Sequence, residues 1–316
     1  MPYESGIPVD DTIARVMRRI DTKQFQSCFI SWMQGVSIAT EGDIVAIDGK
    51  TLPRSYDKKS KKSAVHMVSA WSSANGVVLG QEKTSEKSNE ITAIPELLEV
   101  LALKGCIVTI DAMGCQKSIS KQIIQKKADY ILALKGNQGH FHDDVNRFFT
   151  EAVKNNFTAI SHDFYEENDA GHGRIEQRQC WVINPHEYAN CFSDLKKWAG
   201  LKGLIMVKTK REMTDKTTEE IRFFITSCEP QAKSLLQAVR KHWQVENALH
   251  WTLDVTFRKD ESRIRKEASP ENYAVIRHIA LNLIRKNTSI DASVKRKRLM
   301  ATLDDNVRST LMKALI

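Results

Sequence analysis

Residues 105–138 read GCIVTIDAMGCQKSISKQIIQKKADYILALKGNQ, and the fold is decided inside them. The run Cys106-Ile107-Val108-Thr109-Ile110 is short, apolar and rich in β-branched side chains, the pattern of a buried strand, and it ends at Asp111. Residues 115–127 then read as a helix, and Tyr130-Ile131-Leu132-Ala133-Leu134 forms a second apolar run of strand type. An aspartate placed where a strand ends is significant, because that edge is where α/β proteins build their sites.

Towards the amino terminus the same texture continues. Residues 91–103 have helical periodicity, with Ser88 and Asn89 as candidate caps and Glu90 in or near the first turn. Before them come the strand patterns Gly76-Val77-Val78-Leu79-Gly80 and Val65-His66-Met67-Val68-Ser69-Ala70-Trp71, separated by a turn at Ala74-Asn75-Gly76. A Lys/Ser-rich loop at residues 58–63 precedes these, and Ile44-Val45-Ala46-Ile47 runs into Asp48. The predicted order is strand, strand, strand, helix, strand, helix, strand, the first three as an antiparallel meander. Asp48, like Asp111, is expected just as the chain leaves the sheet. The first forty residues predict a small helical lead-in, with Asp11 capping residues 12–17 and Phe25, Phe29, Trp32 and Met33 recurring before Gly35.

Downstream, residues 155–230 carry alternating patches such as Gln179-Cys180-Trp181-Val182-Ile183 and Ile221-Arg222-Phe223-Phe224-Ile225 between polar turns, which predicts a β-rich insertion. Helix returns from Gln231 with Leu235, Leu236, Val239, Trp243, Leu249 and Leu253, and the chain closes in a basic helical region containing Ile276, Ile279, Ala280 and Leu283. With 41% hydrophobic and 27% charged residues over 316 positions, the chain has the composition of a folded protein with ample core. No stretch approaches the roughly 20 apolar residues of a membrane span, and the opening lacks a signal pattern, so a cytoplasmic protein is expected. Its six cysteines show no CxxC pairing and are expected to be reduced, mostly packed thiols.

The net charge of +8 is unevenly spread: residues 258–300 hold 12 basic and 5 acidic side chains, and residues 50–62 hold 6 and 1. Two concentrated basic segments are the footprint of a polyanion partner, with nucleic acid the leading candidate. Two aspartates on neighbouring strands would lie close enough to share a cation and would repel without one; oxygen ligands favour Mg²⁺ or Mn²⁺ over Zn²⁺. A third carboxylate is available in RKHWQVENALHWTLDVTF, where His242, Glu246, His250 and Asp254 recur every four residues along one polar stripe of a helix. His-x₃-Glu-x₃-His is not the H-E-x-x-H spacing of a zinc protease, so zinc is disfavoured.

The strings GIPVDDTIARV, AIDGK, TIDAMG, ADYILALKGNQG, GHGRIEQR and RKHWQVENALHWTLDVTFRKDESRIR run collinearly over nearly the whole chain. Together they resemble bacterial insertion-sequence transposases of the DDE superfamily, of the H-repeat-associated type. The resemblance implies a ribonuclease-H-like mixed sheet with flanking helices, a β-rich insertion before the last catalytic helix, and a triad at Asp48, Asp111 and Glu246. It implies a helical segment at 1–40, a catalytic domain begun at 41–154, the insertion at 155–230 and the final helix with its basic region at 231–316. Such transposases usually carry more helical sequence ahead of Gly6, so the first segment is expected to be truncated. The related pattern has an Arg four residues before the Glu and a Lys seven after it, where this chain has His242 and Leu253. Phosphate positioning would then fall to Arg240 or Lys241. Lys259 stands where similar proteins commonly show an acid before Asp260.

The resemblance further implies two divalent ions, Mg²⁺ or Mn²⁺, about 4 Å apart, serving in-line displacement at phosphorus on double-stranded DNA. A homodimer on DNA and a nucleoid-associated location in the cytoplasm go with that reading. Basic residues near the carboxylates, Lys50, Arg54, Arg258, Arg263 and Arg265 with the loop from Lys58 to Lys62, are candidate phosphate contacts. Lys135, Asn137, His172, Arg174, Arg240 and His242 are further candidates for DNA, and Gln138 sits beside them in a run that reads equally well as a turn. Trp181 fits a core aromatic better than a base-stacking one. Three other functions compete. A phosphate-loop ATPase fails because Gly49-Lys50-Thr51 lacks a glycine five residues ahead of Gly49. An aspartyl phosphatase would need a second acid where Lys50 stands. A decayed or repurposed transposase that binds DNA without catalysis is the remaining alternative.

Overall fold

The computed structural model describes residues 6–36, 41–56, 63–84, 90–171 and 173–315. The elements run α1 (Asp10–Arg19), α2 (Thr22–Val36), β1 (Ile44–Thr51), β2 (His66–Ser72), β3 (Val77–Lys83), α3 (Glu90–Val100), β4 (Ile107–Ile110), α4 (Lys117–Gln125), β5 (Asp129–Leu134) and α5 (His140–Lys154). They continue with β6 (Asp163–Gly171), β7 (Arg174–Ile183), β8 (Gly203–Met213), β9 (Thr217–Thr226), α6 (Ala232–His242), a π-helix (Val245–His250), α7 (Trp251–Val255), α8 (Ser269–Lys286), α9 (Val294–Leu303) and α10 (Asp305–Met312). The strands are hydrogen-bonded in the order β3-β2-β1-β4-β5-β9-β8-β7-β6. The protein is therefore a mixed α/β chain with a nine-stranded mixed sheet and flanking helices, as the sequence predicts.

The chain forms two compact units, residues 1–38, 48–101 and 245–316 in one and residues 39–47 and 102–244 in the other. Within the second unit β1 pairs parallel with β4, and β4 with β5, while β5 to β9 and the long strands β9, β8, β7 and β6 pair antiparallel. The strands read as an insertion thus extend the same sheet. Their core includes Ile131, Cys180, Val182, Ile205, Val207 and Phe224 beneath Leu235, Leu236 and Val239 of α6, so the apolar spacing of that helix is what seats it on the sheet.

In the first unit, α2, α3 and α8 pack on β3. Two buried asparagines of α8 complete backbone groups elsewhere. Asn282 accepts from Val78 N at 2.9 Å and donates to Val78 O at 2.8 Å, satisfying strand backbone beside the register shift between Ala70 and Trp71. Asn272 Nδ2 donates to the carbonyls of Met17 and Ile20, closing the end of α1.

Several local expectations change. Asp11 does not cap α1; Val9 occupies that position without a side-chain bond, and Asp11 lies in the first turn, where its charge favours the helix dipole. Ser88, Asn89 and Lys58 to Lys62 fall outside the described residues. In α8 the buried face is Ala274, Val275, His278, Leu281 and Ile284, while Ile276 is exposed. Trp181 stacks on Phe157 at 5.8 Å between ring centres and packs against Phe164, a structural position. All six cysteines are free thiols, three of them buried. No helix among the described residues is long and apolar enough to cross a membrane.

Candidate metal centre and its neighbours

β1 runs through Asp48 and on to Thr51, so this aspartate lies inside the strand and not just beyond it, contrary to the sequence reading. The extension holds because Gly49 lets the strand pass close to His66 and Glu90, which are bonded to each other at 2.8 Å. Asp111 does follow its strand directly, and its carboxylate accepts from Met113 N, starting the short 3-10 turn Ala112–Gly114. Ile47 and Ile110 are register partners in parallel strands, and each is followed at once by an aspartate.

The helix expected to carry His242, Glu246, His250 and Asp254 on one stripe is interrupted. α6 ends at His242, and residues 245–250 wind as a π-helix before α7. π-Winding inserts an extra residue per turn and re-aims side chains, which is why it recurs at functional sites. His242 belongs elsewhere: its Nδ1 meets Thr109 Oγ1 at 2.9 Å. Trp243, read as apolar packing, is 49% exposed and lies against the Arg222 guanidinium.

Glu246 and His250 instead converge on Asp48, with one potential ligand atom from each lying within 4.8 Å of the others. His250 is buried, and its Nε2 lies 3.0 Å from Asp48 Oδ2. A carboxylate accepts, so Nε2 carries the hydrogen that holds Asp48 in place. His250 Nδ1 is buried with no hydrogen-bond partner among the described residues.

A second layer adjoins these three. Lys50 Nζ lies 3.2 Å from Asp254 and 3.9 Å from Glu246. Burial would lower this ammonium, but the hydrogen bond and charge of Asp254, with the charges of Glu246 and Asp260, outweigh it and hold the pKa above its ordinary value. Lys259 is 5% exposed and 3.5 Å from Asp254; burial lowers its pKa despite the carboxylates of Asp254 and Asp260. Burial and the Asp254 charge raise the carboxyl of Asp260. The cation beside Glu246 is therefore a lysine of β1, while the position seven residues after Glu246 is the fully packed Leu253. The sequence missed this layer because Lys50 reads as a free phosphate contact and Lys259 as one more cation in a basic run. His250 was visible on the same stripe as Glu246 but carried no role once zinc was set aside.

The other predicted contacts are dispersed. Arg54 and Arg263 are exposed, and Arg265 donates to the Arg54 carbonyl. Arg258, in a left-handed conformation, pairs with Glu261, and Arg174 pairs with Glu176 at 2.9 Å. Arg240 is bonded to Glu167 at 2.7 Å and Asp169 at 3.3 Å. Lys135 is exposed, whereas Asn137 and Gln138 donate to the carbonyls of Ala112 and Cys115, each at 2.7 Å, tying their turn to the one that Asp111 begins. His172 lies outside the described residues.

Aspartates on two parallel strands of one sheet, one inside β1 and one directly after β4, followed by a late helical glutamate, are the pattern of DDE-type nucleotidyl-transfer domains. Residues 39–283 match the family model "Transposase DDE domain", and residues 1–33 match the model of the segment associated with it. The chain belongs to the DDE transposase family, which is ribonuclease-H-like in fold. It is 47% identical over 96% of its length to "Putative transposase YncI" of Escherichia coli O157:H7, covering 77% of that protein. It is 40% identical over 98% of its length to "H repeat-associated putative transposase YhhI" of Escherichia coli strain K12, covering 82% of that protein.

Proposed function

We propose that this protein cleaves DNA strands at the ends of an insertion sequence and joins the freed ends to new DNA, using Asp48, Asp111 and Glu246 as its catalytic carboxylates. The observation that carries the reading is the convergence of Asp48 with Glu246 and His250, the histidine standing 202 positions from Asp48 in the chain. The DDE domain implies a divalent cation. The carboxylates of Asp48 and Glu246, clustered with His250 bracing Asp48, fit that requirement, and carboxylate oxygens suit Mg²⁺ or Mn²⁺. Asp48 and Glu246 would hold the cation, with Asp111 as the third acid of the set, and two ions are the complement proposed. When bound, such ions lower the pKa of an attacking hydroxyl and stabilise the leaving oxygen at phosphorus.

The chain's own groups prepare that chemistry. His250 fixes the Asp48 carboxylate by its Nε2 hydrogen bond. Lys50 offsets the charge of Glu246 and Asp254, and the Asn137 and Gln138 amides fix the turn that starts at Asp111. Arg54, Lys135, Arg258, Arg263 and Arg265 are proposed as phosphate contacts on double-stranded DNA, with Arg174 and His172 as further ones. Lys50 and Arg240, given to their acidic partners, and His242, bonded to Thr109, contribute through position. The protein would act as a homodimer on DNA in the cytoplasm.

Asp48→Asn, Asp111→Asn and Glu246→Gln should each abolish strand cleavage while leaving DNA binding largely intact. Gel-resolved cleavage and filter binding on the same substrates check this. Undiminished cleavage by any one of the three removes that residue from the triad.

A further inference from the structure

A cavity of about 730 Å³ lies within the first unit, apart from the carboxylates. Its wall includes Arg18 of α1, then Arg263, Arg265 and Lys266 from the segment before α8. Two tyrosines, Tyr56 and Tyr273, the hydroxyl of Ser269 and one carboxylate, Asp11, complete the polar part of that wall. The cavity thus joins the residues matched as the DDE-associated segment with residues matched as the DDE domain.

From this arrangement we infer that the cavity receives one unpaired nucleotide of a DNA strand. Four cationic side chains around one concave space suit a phosphate, and Arg265 is set for it. Its guanidinium lies 4.8 Å from the Tyr56 ring centre, and its Nε is taken by the Arg54 carbonyl, so its terminal nitrogens are what it offers a phosphate. Tyr56 and Tyr273, both half-buried, give apolar faces for a base. Asp11 would repel a run of backbone phosphates but can accept from a base amino group. Duplex backbone recognition uses open basic surface, whereas a cavity of this size, within the range of small-ligand sites, admits a single residue turned out of the helix. The inference rests on the reading of this protein as one that acts on DNA.

The test is equilibrium binding in EDTA, so that no cleavage enters, using labelled duplexes of the gene's own flanking sequence. One duplex is blunt and one carries a short 5′-phosphorylated overhang of deoxyadenosine. The wild-type chain should bind the overhang form more tightly by about tenfold, the size of one stacked base. Lys266→Ala, at an exposed position, should erase most of that preference and leave blunt-duplex affinity within about threefold; Tyr56→Leu should act in the same direction. Deoxyadenosine monophosphate at millimolar concentration should compete with the overhang form alone. Equal binding of the two duplexes by wild type, or equal loss on both in the variants, overturns the nucleotide site while leaving the transposase reading standing. Absence of any DNA binding by wild type overturns both.

Discussion

A methyl group on Gly49 would fall 2.2 Å from Glu90 Oε1 and 2.4 Å from His66 Nε2, inside any permitted contact. Gly49→Ala should therefore separate His66 from Glu90 and strain the strand that carries Asp48 and Lys50, at a cost of about 1–3 kcal/mol in urea unfolding. A variant as stable as wild type would mean that β1 moves away freely. Lys259 is a sharper case. Removing its ammonium with Lys259→Met leaves Asp254 and the raised carboxyl of Asp260 in a half-buried pocket with one cation fewer, and a loss of about 3 kcal/mol is expected. Adding Asp254→Asn to that variant should restore part of the loss, which a double-mutant cycle measures. Neither residue could be weighed from sequence: a glycine before a lysine reads as a loop, and a lysine among arginines reads as surface. Burial and neighbours make the difference, and both are set by segments far apart in the chain.

At the level of elements, the strands and helices of residues 43–134 follow their apolar periods closely, because buried strands bounded by turns leave little freedom in assignment. Asp111 was placed correctly for that reason, while the strand before Asp48 was ended too early because its apolar run stops before the strand does. The π-helix was not legible. Four-residue spacing of His242, Glu246, His250 and Asp254 describes a regular helix equally well, and no proline or glycine marks the change of winding. It matters for the site: excising Asn247 should allow ordinary α-winding with the downstream face still buried, yet change the spacing of Glu246 and His250 from four residues to three and so shift the one relative to the other at Asp48. Circular dichroism close to wild type with loss of cleavage is the expected pair of results. Asn282 offers a test of packing between α8 and β3. Asn282→Leu leaves the Val78 N–H and C=O without their side-chain partner, a cost of about 2–4 kcal/mol, read from the urea midpoint.

Across the molecule, one buried histidine couples stability to pH. His278 is pushed down to about 3 from 6.5, by burial first and then by the charges of Lys259, His250 and Arg277. The folded chain keeps this ring neutral where the unfolded chain would protonate it. Between those two values the unfolded state binds more protons, so stability falls as pH falls, by up to about 1.4 kcal/mol per pH unit; above the upper value the contribution is flat. His278→Gln should flatten the decline in urea midpoint between about pH 6.5 and pH 4.5, and an unchanged decline would assign it to other groups. The class of fold and the family were readable from collinear motifs alone, since strand-end acids and a late glutamate recur in order along the chain. The histidine that completes the cluster and the lysines around it emerged only once distant segments were in contact.

The most direct measurement is strand cleavage of a plasmid bearing the gene's own flanking DNA, with and without Mg²⁺ or Mn²⁺, for wild type and Asp48→Asn. Metal-dependent cuts at the element boundaries that vanish in the variant are the expected result. Binding of that DNA by wild type without any cut, at any concentration of either metal, would contradict catalysis at Asp48 and leave a DNA-binding protein of transposase descent.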